Sequence, residues 1–462
     1  MAKEAFVIAL ALGLGFSASA RGAGPLGPQG TPITTSRYGI DLHQGPVLGS
    51  ARVTGLSGAV TAAGDGADAI PWNPAAVALR APYSTTRADW ELTGGLTLPS
   101  YVRNTDFDNN GKVGFTYDNF IWLMVGGLIQ YDKAAFGVIV SFQNYALGAP
   151  SETVVLPDTG EALKSVLIRL LRIEPVVGYA FLDEQLHVGL GLRLAAFYGI
   201  GRTTNDSFDF DHERLLLNSN AIGAEAGVLF TPRALPFRLG AALRSPATPT
   251  ESEPGRMPAN AEGDRVVGSL YLPERMELPW EVEAGVAVQL WRRPFNLRWA
   301  DEDKVEPRES EPYRRMVKGY PEAPYRGARR MLRERYAAIP RERVLLTLSG
   351  ALIGPVKNAV GIESMLAQRV DRSGERTVAS VRAGVEAEVL PYWLVLRAGS
   401  YLEPTRFREG SARLHGTGGF DVRVLRSTIF GLFPDDTLFR VSVAVDAARD
   451  YFGWGLGAGI FH

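Results

Sequence analysis

Five histidines, His43, His187, His212, His415 and His462, are the side chains from which acid–base or metal chemistry would first be built. None stands in a His-x-x-x-His pair or beside a second ligand at metal spacing. Asp435-Asp436 and Asp211-His212 carry the residue types of an Asp/His protease, but their contexts fit no such site and chance explains them. No Ser/His/Asn set of the hydrolase kind is legible. Asp106-x-Asp108-x-Asn110-Gly111 has the spacing of half a calcium loop. Tyr117 stands where the bidentate glutamate is needed, so a plain Asn-Gly loop tip is the simpler reading. Gly55-x-x-Gly58 lacks the Gly-Lys-Ser/Thr of a phosphate cradle. With no cysteine there is no thiol nucleophile, disulfide or thiolate metal site. The residues argue against an enzyme, and neither a cofactor nor a metal is expected.

The elements that carry these residues read as strands. Phe136, Val138, Val140 and Phe142 alternate with Gly137, Ile139, Ser141 and Gln143. Val282 to Leu290, Val381 to Val389, Phe439 to Val445 and Phe452 to Ile460 alternate in the same way, which is the strand period. The apolar faces oppose faces that carry Arg and Glu side by side, as in a wet lumen, and the runs have the ~10–12 residues of a tilted membrane crossing. A soluble sandwich would show shorter strands. The composition agrees: 51 glycines exceed the usual share of roughly 7%. A net charge of −1 gives no reason to expect nucleic acid.

A tally predicts strands near 87–98, 113–130, 133–144, 165–181, 185–199, 220–231, 236–246, 279–291, 343–353, 359–370, 377–389, 393–403, 412–425, 438–448 and 451–461. Single-chain bacterial barrels have even strand numbers, so the odd tally points to fourteen. Tyr131-Asp132-Lys133 and Leu390-Pro391-Tyr392 are expected as tight turns. Trp90, Tyr117, Trp122, Tyr131, Tyr145, Tyr179, Trp280, Trp291, Tyr392 and Trp393 fall near strand ends, where interfacial aromatics collect.

Three segments stand outside this pattern. Residues 1–20, with Lys3, an apolar run to Phe16 and Ala18-Ser19-Ala20, read as a secretory signal peptide. Residues 21–83 are rich in small residues and too apolar for a free linker, so they could fill a barrel lumen. Residues 292–343 form an insertion of mixed charge, including Asp301-Glu302-Asp303-Lys304 and Arg333-Glu334-Arg335. It reads as a solvated face, or as a contact for lipid headgroups, lipopolysaccharide or a periplasmic partner. Residues 84–462 are expected to be the barrel.

The run from Gly55 to Ala76 resembles the N-terminal segment of the long-chain fatty acid outer-membrane transporters (FadL and its toluene-uptake relatives). The features carrying the resemblance are a Gly/Ala-rich stretch, an acidic step at Asp65 and Asp68, and Asn73-Pro74-Ala75 just before the first strand. It implies an all-β, fourteen-stranded transmembrane antiparallel barrel with an N-terminal lumen plug, the hatch. It also implies a hydrophobic ligand held inside that leaves sideways through an opening in the wall. Asn73, Pro74, Ala75, Asp65 and Asp68 are then the hatch or gating candidates, and ligand-contacting residues are unknown. The terminal His462, where many barrels end in an aromatic residue, and the 292–343 insertion depart from that pattern.

The reading is an exported, monomeric protein of a Gram-negative-type outer membrane that passively transports hydrophobic small molecules such as long-chain fatty acids. Its expected partners are membrane lipid, lipopolysaccharide and the ligand. A non-transporting scaffold or secretion partner and a polar-solute porin are the alternatives, and the character of the lumen separates them.

Overall fold

The structure, a computed structural model, describes residues 26–80, 87–99, 105–113, 120–147, 154–156, 160–204, 213–249, 260–297, 340, 343–390, 393–426 and 438–461. The segment 1–20, the body of the charged insertion, and His212, His462, Tyr117, Tyr392, Asp435 and Asp436 lie outside these.

Fourteen antiparallel strands close on themselves. They are β1 (Ala88–Pro99), β2 (Phe120–Tyr131), β3 (Ala134–Leu147), β4 (Ser165–Phe181), β5 (Leu186–Arg202), β6 (Glu213–Phe230) and β7 (Phe237–Arg244), then β8 (Glu281–Leu290), β9 (Val344–Ile353), β10 (Val378–Leu390), β11 (Leu394–Glu403), β12 (Arg413–Arg426), β13 (Leu438–Ala448) and β14 (Tyr451–Phe461). Each pairs with its neighbour in sequence, and β1 zips to β14 from Glu91–Phe461 to Pro99–Gly453. The result is a transmembrane β-barrel. Closure satisfies the backbone at both sheet edges, as a strand in hydrocarbon requires.

Period two sorts the side chains between lipid and lumen. On β9, Leu346, Leu348 and Leu352 are exposed, while Leu345, Thr347, Ser349, Ala351 and Ile353 are buried. On β8, Val282 faces out and Glu283, Ala287 and Gln289 face in. The inward charges pair across strands: Arg397 (β11) holds Glu386 (β10) at 2.7 Å and Asp421 (β12) at 2.5 and 2.7 Å.

The extra strand in the tally was 359–370. Only Ala359–Val360 is extended there; Ile362–Leu366 is a short helix, α2. Its apolar residues Ile362, Met365 and Leu366 follow helical spacing, not alternation. Trp122 and Tyr145 are buried inside and so are not interfacial. Tyr131, Tyr179, Trp291 and Trp393 are exposed near strand ends, as a girdle requires.

The two ends of the barrel differ. Turns at 132–133, 182–185, 231–236 and 391–393 mark one end, which also receives the start of β1 and the end of β14. The long connections after β1, β3, β5, β7 and β9 crowd the other. Short turns on the periplasmic side and long loops outside are the pattern of such barrels. The charged insertion, between β8 and β9, therefore leaves from the turn end.

At the loop end a small sheet draws distant segments together. Gly39–Asp41 runs parallel to both Arg275–Glu277 and Ala359–Val360, and Arg372–Ser373 adds an outer strand. Asp41 accepts from Arg406 Nε at 2.7 Å and Ser373 Oγ at 2.9 Å, which fastens the central strand from the side.

Candidate functional site

From this sheet the N-terminal segment descends along the inner face of the strands to the turn end. Helix α1 (Ala51–Gly55) begins at Ser50, whose Oγ accepts from Val53 N at 3.3 Å, a side-chain cap. The following residues lie against the wall through hydroxyl and carbonyl groups. Ser57 Oγ meets Thr417 Oγ1 at 2.8 Å, Thr347 Oγ1 donates to Ala59 O at 2.5 Å, and Thr61 Oγ1 donates to Glu283. Arg244 Nη2 donates to Trp72 O at 2.7 Å, and Gln130 Nε2 donates to Val77 O at 2.6 Å.

The Asn-Pro-Ala step sits against β5 and β6. Asn73 Oδ1 accepts from Ala75 N at 3.0 Å and caps a 3-10 turn, Pro74–Ala78. Its Nδ2 donates to Thr61 O at 2.7 Å and to Val228 O of β6 at 3.1 Å. One amide thus closes the turn, ties it to the preceding loop and ties both to the wall. Pro74 suits the first helical position because its missing N–H would be unsatisfied there anyway. The approach is close enough to require glycine opposite. A Cβ at Gly189 would overlap the Pro74 carbonyl, and one at Gly227 would overlap Asn73 Oδ1.

The acidic step divides into two environments. Asp68 is buried, accepts from Ser50 Oγ at 2.9 Å and lies 3.5 Å from Arg440 of β13. Asp65, its side chain 46% exposed, pairs with Arg52. Burial pushes the Asp65 carboxyl up, but Arg52 and Arg238 outweigh it and hold the group below its usual range. Arg52 also reaches Glu386 at 3.6 Å, which Arg397 and Arg343 share. The acidic step therefore belongs to an ion-pair network that spans segment and wall.

Above the segment, at the loop end, is a cavity of about 450 Å³ open to solvent. Phe107, Tyr145, Phe407, Leu42 and Ile362 supply apolar walls; Asp41, His43, Gln44, Asp108, Glu363 and Arg406 supply polar ones. Phe107 packs on Phe120 at 4.7 Å and edge-on to Tyr145 at 6.2 Å. The half-calcium loop forms one side. Asp106 Oδ1 accepts from Asn110 N and Oδ2 from Gly111 N, both at 3.0 Å, which folds the loop tip. Asn110 Nδ2 donates to Glu363 Oε2 at 2.9 Å and to Asp108 Oδ2 at 3.4 Å. Burial raises the Asp108 carboxyl well above its usual range, and Glu363, Asp106 and Asp371 push the same way. Burial, with Arg406 beside it, pushes His43 down to about 4, so it is neutral at pH 7.

Sequence reading brought Asn73, Pro74, Ala75, Asp65 and Asp68 forward, and the structure places all five on one segment inside the barrel. It did not find Glu363, which α2 delivers from more than two hundred residues away. The loop 106–111 carried the signal; the glutamate missing at position 117 is replaced by one from another loop.

Comparison with known proteins yields structural likeness only. No family model matches the chain, and no curated protein does. A crystal structure of a Pseudomonas aeruginosa FadL homologue superposes with a TM-score of 0.51 at 10% identity, covering 92% of this chain and 99% of that one. The Pseudomonas putida toluene transporter TodX gives 0.47 at 12% identity, covering 93% and 99%. The CymD monoaromatic hydrocarbon channel gives 0.46 at 12%, covering 89% and 96%. The shared feature is the fold.

Proposed function

We propose that this chain is a passive outer-membrane channel for hydrophobic small molecules, in which residues 21–83 act as the hatch. The observation that carries the reading is an aromatic-walled cavity directly above an N-terminal segment lodged against the inner wall. A solute entering from the loop end meets a small apolar site and then an obstruction, so uptake is selective. An apolar ligand leaving water gains about 25 cal/mol per Å² buried, enough to load the site and weak enough for release. The fold shared with the Pseudomonas aeruginosa FadL homologue supports the same reading, as does the lipid-facing belt. A wide water-filled pore, as a polar-solute porin needs, is disfavoured by the filled lumen.

The wall opening that the resemblance implies has a narrow choice of places here. Ladder pairing along β3 is unbroken on both sides. Between β4 and β5 the paired positions skip from Ile173–Leu194 to Val176–Gly191, beside Pro175, which has no N–H to donate. We place the sideways exit at this interruption. The test is uptake of a radiolabelled neutral aromatic and of a long-chain fatty acid by cells with and without the gene, together with mass spectrometry of molecules that co-purify with the barrel. Unchanged uptake of both and an empty barrel would end the transport reading.

A further inference from the structure

We infer that the loop-end cavity selects organic cations: molecules with an apolar, preferably aromatic, body and a single ammonium head. The inference rests on the transport reading and names the ligand class of that site.

The argument is a charge count around a solvent-open pocket. Asp41 is answered by Arg406 at 2.7 Å, Asp371 by Lys112 at 2.5 Å, and Asp106 has Arg413 at 4.0 Å. Among the described residues, Asp108 pairs with no lysine or arginine, and its Oδ1 is buried without a hydrogen bond. Asn110 bridges Asp108 and Glu363 through one neutral amide, so two carboxylates share a donor that carries no charge. Such a pair is stable only with a proton or a cation between them. The surrounding rings, Phe107, Tyr145 and Phe407, present the π faces and apolar area that an organic cation prefers. The same wall disfavours a fatty acid carboxylate, which would bring a further negative charge to Asp108 and Glu363. A bare metal ion fits less well, because no three His, Asp or Glu side chains among the described residues converge as a ligand set. Arg406 Nη2, which makes no hydrogen bond, is the neighbouring group that would suit an anion instead.

The experiment is calorimetry on the full chain in detergent at pH 7 with three isosteres: 2-phenylethylammonium, 2-phenylethanol and 3-phenylpropanoate. Calcium chloride forms a fourth arm. The ammonium compound is expected to bind about tenfold or more tighter than the alcohol, and the carboxylate more weakly than the alcohol. In Asp108→Asn the ammonium-to-alcohol ratio is expected to fall toward one; Glu363→Gln serves if that variant does not fold. Equal binding of ammonium and alcohol would overturn the inference while leaving hydrophobic transport standing. Tighter binding of the carboxylate, or binding of calcium alone, would overturn it too. Absence of binding by all three isosteres would remove the inference, and transport itself is judged separately by uptake.

Discussion

At the scale of single residues, Asn73 and His43 bear the most direct tests. Asn73→Ala removes a cap and a bond to the wall, and cap loss costs about 1–2 kcal/mol. Local opening should rise roughly tenfold, seen as faster hydrogen exchange at Ala75 and its neighbours; unchanged exchange would mean that the contact is passive. His43 has a folded value of about 4 against an ordinary 6.5. The unfolded chain therefore binds the extra proton first. The stabilisation is fully present above pH 6.5 and is lost as pH falls from there toward 4. The thermal midpoint of the native chain should drop more between pH 7.5 and 5.0 than that of His43→Gln. Parallel curves for the two would refute the assignment.

At the scale of elements, the small sheet at the loop end depends on Gly39–Asp41 as its central strand. Ile40→Pro removes a backbone donor from that strand. Cleavage of the loops by an added protease should increase while the strand content by circular dichroism stays near the native value. Equal protection in both chains would mean that the side chains at Asp41 and Tyr38 hold the loops without the ladder. The barrel strands were legible because each must satisfy lipid on one side and a polar lumen on the other, a demand written at every second residue. The small sheet was not, since strands of two or three residues leave no period and their partners lie hundreds of positions apart. The same limit hid Glu363: Asp106, Asp108 and Asn110 announced a ligand-type loop, but only the fold says which distant carboxylate completes it. The tally failed at 359–370 for a different reason. There apolar residues at helical spacing were counted as if they alternated.

At the scale of the whole molecule, deletion of residues 26–80 should convert the closed barrel into a conducting one. Single-channel conductance in planar bilayers is expected to rise from near zero to discrete open steps. A folded but silent deletion variant would mean that the loops alone seal the lumen. The segment also sets an orientation. Leu26, whose carbonyl accepts from Arg372 at 2.6 Å, lies at the loop end, while Ala78, against His187 at 3.1 Å, lies at the turn end. The polypeptide thus crosses the barrel lengthwise before its first wall strand begins. Glycines face it where it presses on the wall, leaving little slack for threading it into a finished cylinder. Biogenesis must therefore wrap the wall around its own leading segment, with the β1–β14 seam zipped last. A label attached near Leu26 would face the cell exterior and one near Ile460 the periplasm, so paired labels at those sites would report the moment of closure during membrane insertion.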